Sequence, residues 1–228
     1  NIRGDYGTCI RKFVRVSQSP KKRGKRKGTA MIKAVIFDMD GTLIDTEKYY
    51  RICWPKALAH FGYEMNDEQA LSMRSLGQPY APEHLKEMFH DKDLDYPAIR
   101  AYRKALMEDC LAEHGIAVKK GALEFLAFLK EKKIRRAIAT ATDMERTARY
   151  LKQLGLYEQF DEIISAVMVE HGKPAPDIYR YACEKLALSP EECIAVEDSP
   201  NGVESAVEAG LKVVMVPDQT RPDDTLMK

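Results

Sequence analysis

The octapeptide Ile36–Leu43, with the sequence I-F-D-M-D-G-T-L, places two carboxylates and a glycine at the end of an apolar stretch. That stretch, Ile32–Phe37, is almost entirely apolar and contains β-branched residues, which predicts a buried strand of a parallel sheet. Asp38 and Asp40 are two residues apart, so both side chains lie on one face if the extended conformation continues. Open α/β sheets bind ligands at the carboxyl ends of their strands. One acid there can attack a substrate or hold a metal while the other moves protons, although an Asp-rich turn has the same residues.

Further strand-like segments follow along the chain, and amphipathic segments of helical period lie between the later ones. The strand-like segments are Ile32–Phe37, Ile134–Ala139, Glu162–Ala166, Cys193–Val196 and Lys212–Val216. The helical segments are Gly121–Lys132, Met144–Leu154, Asp177–Leu186 and Pro200–Ala209. This alternation predicts an α/β fold with a doubly wound, Rossmann-like parallel sheet and right-handed crossovers.

Residues 46–114 interrupt the alternation, because they contain no convincing strand. Helical periodicity occurs instead in Tyr49–Phe61, Asp67–Met73, Pro82–Phe89 and Tyr96–His114. We therefore predict an inserted, all-helical cap domain at 46–114 and a core domain formed by residues 31–45 and 115–228.

The composition is that of a globular protein that does not enter membranes. The chain has 228 residues, 45% of them hydrophobic and 31% charged. No apolar run approaches the roughly 18–20 residues that span a bilayer. The five cysteines are scattered without a C-x-x-C motif, which indicates free thiols in a reducing compartment. We expect a cytoplasmic protein and, by default, a monomer.

The first thirty residues differ from the rest in charge. Residues 1–30 hold ten of the 36 Lys and Arg but one of the 35 Asp and Glu, so the remainder has 26 basic and 34 acidic residues and a net charge of −8. We predict a disordered basic extension at 1–30; an arm that binds nucleic acid or a membrane surface is the alternative. The acidic remainder disfavours general nucleic-acid binding.

Two polar segments follow, or lie between, later strands. Thr140 lies in A-T-A-T at 139–142, where a hydroxyl and free backbone N–H groups can bind an anion; a helix N-cap is the alternative. Lys173 lies in H-G-K-P-A-P-D at 171–177. The prolines stiffen its backbone, and a rigidly presented ammonium can neutralise phosphate or pair with a nucleophilic carboxylate, although a solvated loop lysine gives the same pattern.

Two acids end a third strand. Glu197 and Asp198 begin the segment E-D-S-P-N-G, and with Asp38 they could complete the oxygen-rich site that Mg²⁺ prefers; alternatively they only complement a helix dipole. In one parallel sheet all of these groups converge on one edge. A nucleophile, a second acid, an anion-binding hydroxyl, a lysine and a metal-binding acid are what phosphoryl transfer to a carboxylate requires.

The order D-M-D-G-T, T-A-T, G-K-P-A-P-D and E-D-S-P-N-G resembles the four motifs of the haloacid dehalogenase (HAD) superfamily, over Met31–Asp218. The helical insert resembles the C1-type cap of its β-phosphoglucomutase-like branch. The resemblance implies that Asp38 is the nucleophile, forming an aspartyl-phosphate, and also a Mg²⁺ ligand. It implies that Asp40 is the general acid and then the base, and gives its backbone carbonyl to the metal.

The same resemblance assigns the remaining core residues. Thr140 and the Ala141 N–H would bind the phosphoryl oxygens, and Lys173 would neutralise the phosphate and orient the nucleophile. Asp198 would be a metal ligand, with Glu197 assisting.

The cap should select the substrate. Arg74 is its best candidate for substrate binding, because an arginine in a loop can fork onto a phosphate or sugar oxygen; a surface arginine is the alternative. Phosphoglucomutases of this branch have a histidine twelve residues after the nucleophile, where this chain has Tyr50. This departure favours a phosphatase over a mutase.

The leading hypothesis is a Mg²⁺-dependent phosphatase that hydrolyses a small phosphorylated metabolite, a sugar phosphate or similar. A phosphosugar mutase of the β-phosphoglucomutase type is the first alternative. A non-catalytic protein that binds nucleic acid through its basic arm is the second. Phosphonatase chemistry would need a Schiff-base lysine in the cap, and nothing marks a cap lysine for that role.

Overall fold

A computed structural model describes residues 31–221, and a five-stranded parallel sheet forms its centre. The strands are β1 (Ala34–Phe37), β2 (Arg135–Thr140), β3 (Glu162–Ser165), β4 (Cys193–Glu197) and β5 (Lys212–Met215). Their order is β3-β2-β1-β4-β5, so the chain crosses to the other side of β1 after β3. The predicted α/β fold with a doubly wound parallel sheet is confirmed.

Helices cover both faces of the sheet, so the central strand β1 is buried on both sides. Ala34 and Ile36 of β1 pack into one hydrophobic cluster, whereas Val35 and Phe37 pack into another. The core helices are α5 (Ala122–Glu131), α6 (Met144–Gln153), α7 (Asp177–Lys185) and α8 (Pro200–Glu208). The near-continuous apolar run of β1 is therefore required by two packed faces.

Four helices lie between β1 and α5, within the predicted insert. They are α1 (Glu47–His60), α2 (Asp67–Ser72), α3 (Tyr80–Met88) and α4 (Tyr96–His114). They enclose a separate hydrophobic cluster that includes Trp54, Leu85 and Ile99. Helix α3 begins two residues before the predicted start, because Pro82 is tolerated in a first turn whose N–H groups have no partner within the helix. The division into two domains remains a prediction, and we call these four helices the cap.

The sheet directs three loops to one edge. The chain leaves β1, β2 and β4 at Asp38, Ala141 and Asp198, and the register aligns Phe37 with Ile138 and Val196. Within the part of the chain that the structure describes, none of the helices has the length and apolar character needed to cross a bilayer. The predicted basic extension at 1–30 lies outside the described residues.

Candidate active site

Asp38 is the first residue after β1, and its two carboxylate oxygens have different surroundings. Its side chain is buried, and Oδ1 accepts a hydrogen bond from Lys173 Nζ at 2.6 Å. Oδ2 is buried without a hydrogen-bond partner among residues 31–221. Burial raises the pKa of Asp38 to about 8, against the opposing charge of Lys173. A buried acceptor without a donor is costly, so Oδ2 is the atom available to a cation or to an electrophile.

Asp40 is held by two hydroxyl groups. Thr46 Oγ1 donates to its Oδ1 at 2.6 Å, and Thr142 Oγ1 donates to its Oδ2 at 2.7 Å. The turn between Asp40 and the cap needs a glycine at Gly41, where φ is +84° and an added Cβ would collide with the Asp198 carboxylate. The second acid therefore lies in a fixed orientation beside the first.

Lys173 is the centre of a buried ion-pair network. Its Nζ donates to Asp38 Oδ1 and Glu197 Oε1, each at 2.6 Å, and to the Ala139 carbonyl at 2.9 Å. Burial opposes the charged form, but the charges of Asp38 and Glu197 outweigh it and raise the pKa of Lys173 above its usual value. Tyr179 also donates to Glu197 Oε1, at 2.6 Å. The lysine is thus a fixed cation that supports the buried carboxylate of Asp38.

The two acids at the end of β4, Glu197 and Asp198, differ in what they contact. Glu197 is occupied by Lys173 and Tyr179, which suits a residue that positions the lysine. Asp198 instead accepts from Thr42 Oγ1 at 3.3 Å and from the Arg74 guanidinium. Asp38, Glu197 and Asp198 each offer a carboxylate oxygen within 4.8 Å of the others. Together with the unpartnered Asp38 Oδ2, this cluster fits a hard divalent cation.

Thr140 ends β2, and Ala141 begins the loop that follows it. Thr140 is fully buried, and its Oγ1 accepts a hydrogen bond from the Thr142 N–H at 3.1 Å. Ala141 lies on the cleft wall. Asp143 is the N-cap of α6, and its side chain accepts from the Arg146 N–H. The predicted phosphoryl-binding roles of Thr140 and Ala141 are compatible with this placement and stay predictions.

Arg74 lies between α2 and α3 and reaches from the cap onto the core. Its guanidinium contacts the Asp198 carboxylate, and its Nε is 3.4 Å from Glu47 Oε2. Asn201 Nδ2 donates to the Arg74 carbonyl at 2.8 Å. The interpretation of Arg74 as a plain surface arginine is wrong, since its side chain is 3% exposed; its predicted role in substrate binding stays a prediction.

Two residues of the site, Glu47 and Arg103, have no signal in the sequence motifs. Glu47 begins α1 and is buried, which raises its pKa to about 8 in spite of Arg74. Tyr50 lies one turn further along α1, with its hydroxyl 3.5 Å from Thr142 Oγ1. Arg103 of α4 lies against the Tyr50 ring. Their spacing is ordinary for helices, and only the docking of the cap brings them to the acids.

Asp38, Asp40, Thr142 and these cap residues line one open cleft. The core supplies the groups that act on a reacting atom, and the cap covers them. A ligand would therefore lie with its reacting end on the core and the remainder against the cap.

Comparison with known proteins confirms the family that the sequence motifs resemble. Residues 32–210 match the family described as haloacid dehalogenase-like hydrolase. A phosphorylated carbohydrates phosphatase of Thermotoga maritima is 33% identical over 185 residues, which cover 79% of this chain and 83% of that protein. A β-phosphoglucomutase of Bacillus subtilis is 29% identical over 200 residues, 81% of this chain and 83% of that protein.

A solved structure shares the fold. The crystal structure of CbbY from Rhodobacter sphaeroides in complex with phosphate has a TM-score of 0.71 and 30% identity, covering 85% of this chain and 90% of that chain. The chain therefore belongs to the haloacid dehalogenase-like hydrolases.

Proposed function

We propose that the protein is a Mg²⁺-dependent phosphatase that hydrolyses a small phosphorylated metabolite, a sugar phosphate or similar, through an aspartyl-phosphate on Asp38. The observation that carries the proposal is the unpartnered Oδ2 of Asp38, buried beside an acid, a lysine and two further carboxylates. A relative that acts on phosphorylated carbohydrates supports the substrate class.

The first half of the reaction transfers the phosphoryl group to the enzyme. Asp38 Oδ2 attacks phosphorus, and the bond between phosphorus and the leaving oxygen breaks. Asp40, aimed by Thr46 and Thr142, gives its proton to that oxygen. Lys173 holds the other oxygen of Asp38 and balances the charge of the phosphoryl group.

The second half releases phosphate. Asp40, now ionised, takes a proton from a water molecule that attacks the phosphorus of the acyl phosphate. The bond between phosphorus and Asp38 Oδ2 breaks, and the carboxylate returns. A bound Mg²⁺, held by Asp38, Asp198 and the Asp40 carbonyl with Glu197 assisting, would supply positive charge to the phosphoryl oxygens and favour ionised Asp38.

The substitution Asp38→Asn tests this proposal. We expect loss of phosphate release from p-nitrophenyl phosphate with the fold retained, because the amide is isosteric and cannot form the acyl phosphate. Acid quenching of the wild-type enzyme during turnover should trap phosphate on the chain. Retained turnover in Asp38→Asn would refute the mechanism. A parallel assay without Mg²⁺ tests whether turnover depends on the metal.

A mutase is the second candidate, since a β-phosphoglucomutase is among the relatives and shares the covalent step. The cap has Tyr50 where the resemblance places a mutase histidine, and its hydroxyl lies near Thr142 rather than free in the cleft. Phosphorus NMR of β-glucose 1-phosphate with a bisphosphate primer separates the two. Free phosphate supports a phosphatase, whereas glucose 6-phosphate supports a mutase.

We also propose a cytoplasmic, monomeric enzyme. Cys53 and Cys110 are free thiols whose Sγ atoms lie 3.7 Å apart, an arrangement that persists in a reducing compartment. All proposed catalytic groups come from one chain, so a monomer would be competent.

A further inference from the structure

Arg103, on cap helix α4, is a buried cation without a counter-ion. Its side chain lines the cleft and the residue is 7% exposed. Its Nε is buried without a hydrogen-bond partner, and none of the ion pairs among residues 31–221 includes it. A buried guanidinium normally has a carboxylate, a phosphate or several acceptors. Arg103 therefore has donor capacity that the described protein leaves unused.

Within the described part of the chain, the lack of a counter-ion distinguishes Arg103 from the other buried arginines of the cleft, since the Nε of Arg74 has no hydrogen-bond partner either. Arg74 contacts Asp198 and Glu47, and Arg146 contacts Glu108 and the Tyr150 hydroxyl. Arg103 has aromatic rings instead: its guanidinium carbon is 4.9 Å from the centre of the Tyr50 ring and 4.7 Å from that of Trp54. Those rings fix the guanidinium in place and attract its charge, but they offer no oxygen acceptor for its N–H groups.

Tyr50 connects Arg103 to the hydrogen bonds of Asp40. Its ring contacts Arg103, and its hydroxyl is 3.5 Å from Thr142 Oγ1, which donates to Asp40. Asp40 is the proposed proton donor to the leaving oxygen. The substrate beyond that oxygen would therefore extend past Tyr50 toward Arg103.

We propose that Arg103 is a specificity-determining residue that binds a second anionic group on the substrate, a carboxylate or a second phosphate. This inference rests on the proposed phosphatase function and narrows its substrate class. A guanidinium has donors only, and its fork matches the paired oxygens of a carboxylate or phosphate. A neutral sugar would leave the charge of Arg103 without a counter-ion.

Two matched pairs of substrates test the proposal in wild-type enzyme with Mg²⁺. The carboxylate arm compares 6-phosphogluconate with glucose 6-phosphate, and the phosphate arm compares fructose 1,6-bisphosphate with fructose 1-phosphate. In one of the two arms, we expect kcat/KM to be at least about tenfold higher for the substrate with the second anion. A tenfold ratio corresponds to the free energy that one charge-assisted hydrogen bond contributes. The arm that shows the preference identifies the anion.

The substitution Arg103→Gln should bring the ratio of kcat/KM within that pair of substrates close to one, since only the member with the second anion loses a partner. Arg103→Lys keeps the charge without the fork and should retain part of the preference. Arg149→Gln, which removes an exposed arginine paired with Glu108, is the charge-matched control and should change neither ratio.

Three results would overturn the inference: equal kcat/KM within both wild-type pairs, an equal loss on all substrates in Arg103→Gln, or the same loss of preference in Arg149→Gln. If Arg103→Gln does not fold, a full preference in Arg103→Lys overturns it. Failure of the proposed function is a separate result, because it is measured as turnover of p-nitrophenyl phosphate by Asp38→Asn. An enzyme that requires Asp38 but shows no second-anion preference keeps the function and loses the inference.

Discussion

Asp40 depends on two threonine hydroxyls for its orientation, and this dependence is measurable. Thr142 Oγ1 donates to Asp40 Oδ2 at 2.7 Å. In Thr142→Val, Asp40 Oδ2 loses this hydrogen-bond donor while the volume of the side chain at position 142 is conserved. We expect kcat to fall by roughly tenfold or more with little change in KM, because a hydrogen bond to a charged group contributes about 1.5–3 kcal/mol and Asp40 acts in the chemical step.

The matched control is Thr147→Val. Thr147 is fully buried, and its hydroxyl contacts the Thr142 carbonyl rather than the acid. It should lose stability without loss of kcat. Equal losses of kcat in the two variants would show that Thr142 acts through packing and not through Asp40.

Glu47 should make the stability of the metal-free protein depend on pH. Burial raises its pKa from 4.5 to about 8, so between those values the folded chain holds a proton that the unfolded chain has released. Stability therefore falls as pH rises through this window. In Glu47→Gln we expect the decline in the free energy of unfolding from about pH 5 to about pH 8 to shrink, by an amount on the order of a few kcal/mol.

Urea unfolding at both pH values, with chelator present, measures this change. The exposed substitution Glu145→Gln serves as the control. A pH dependence that is unaltered in Glu47→Gln would contradict the assignment of a protonated, buried Glu47.

At the scale of elements, the cap is attached to the loop that carries the catalytic lysine. The Gly77 N–H donates to the Lys173 carbonyl at 2.9 Å, and the Gly172 N–H donates to the Gln78 carbonyl at 2.7 Å. An added Cβ on Gly172 would lie 2.6 Å from Gly77 Cα. Both positions therefore need glycine for this backbone contact between cap and core.

Gly172→Ala should separate the two segments by about an ångström, and a displacement of that size costs on the order of a hundredfold in rate. We expect kcat/KM to fall by roughly ten- to a hundredfold, and hydrogen exchange at Gly77 to accelerate. Gly155→Ala is the control: Gly155 has a φ of +68° and open space around it, so that variant should lose stability and keep its activity. Full activity in Gly172→Ala would exclude a role for the contact.

The elements also show which inferences the sequence supports. Asp38, Thr140 and Asp198 could be placed together from sequence because each ends a strand, and parallel strands end at one edge. Lys173 follows no strand directly, yet its place in the rigid G-K-P segment indicates a functional lysine. Arg103 and Glu47 could not be found, since their positions depend on how α4 and α1 dock on the core, which involves contacts between residues far apart in the chain. The sequence indicates Arg74 as a candidate, but it does not predict the contact of Arg74 with Asp198, for the same reason.

At the scale of the whole molecule, a buried arginine connects the cap to the metal-binding edge of the core. The side chains of Arg74 and Asp198 are 3% and 0% exposed, whereas those of Arg51 and Asp67, a pair between two cap helices, are 40% and 58% exposed. Breaking a buried ion pair costs about 3–5 kcal/mol because one charge is left unpaired. An exposed pair contributes about 0–1 kcal/mol.

We therefore expect Arg74→Gln to lower the free energy of unfolding of the metal-free protein by several kcal/mol, and Arg51→Gln by less than about 1 kcal/mol. Mg²⁺ should restore part of the loss in Arg74→Gln, because a cation bound at Asp198 replaces the missing charge and stabilises the folded state by mass action. Thermal and urea unfolding with Mg²⁺ or chelator measure both effects. Equal costs in the two variants, or a loss in Arg74→Gln that Mg²⁺ leaves unchanged, would mean that Arg74 does not share Asp198 with the metal and that cap and core are joined mainly through their backbone contact.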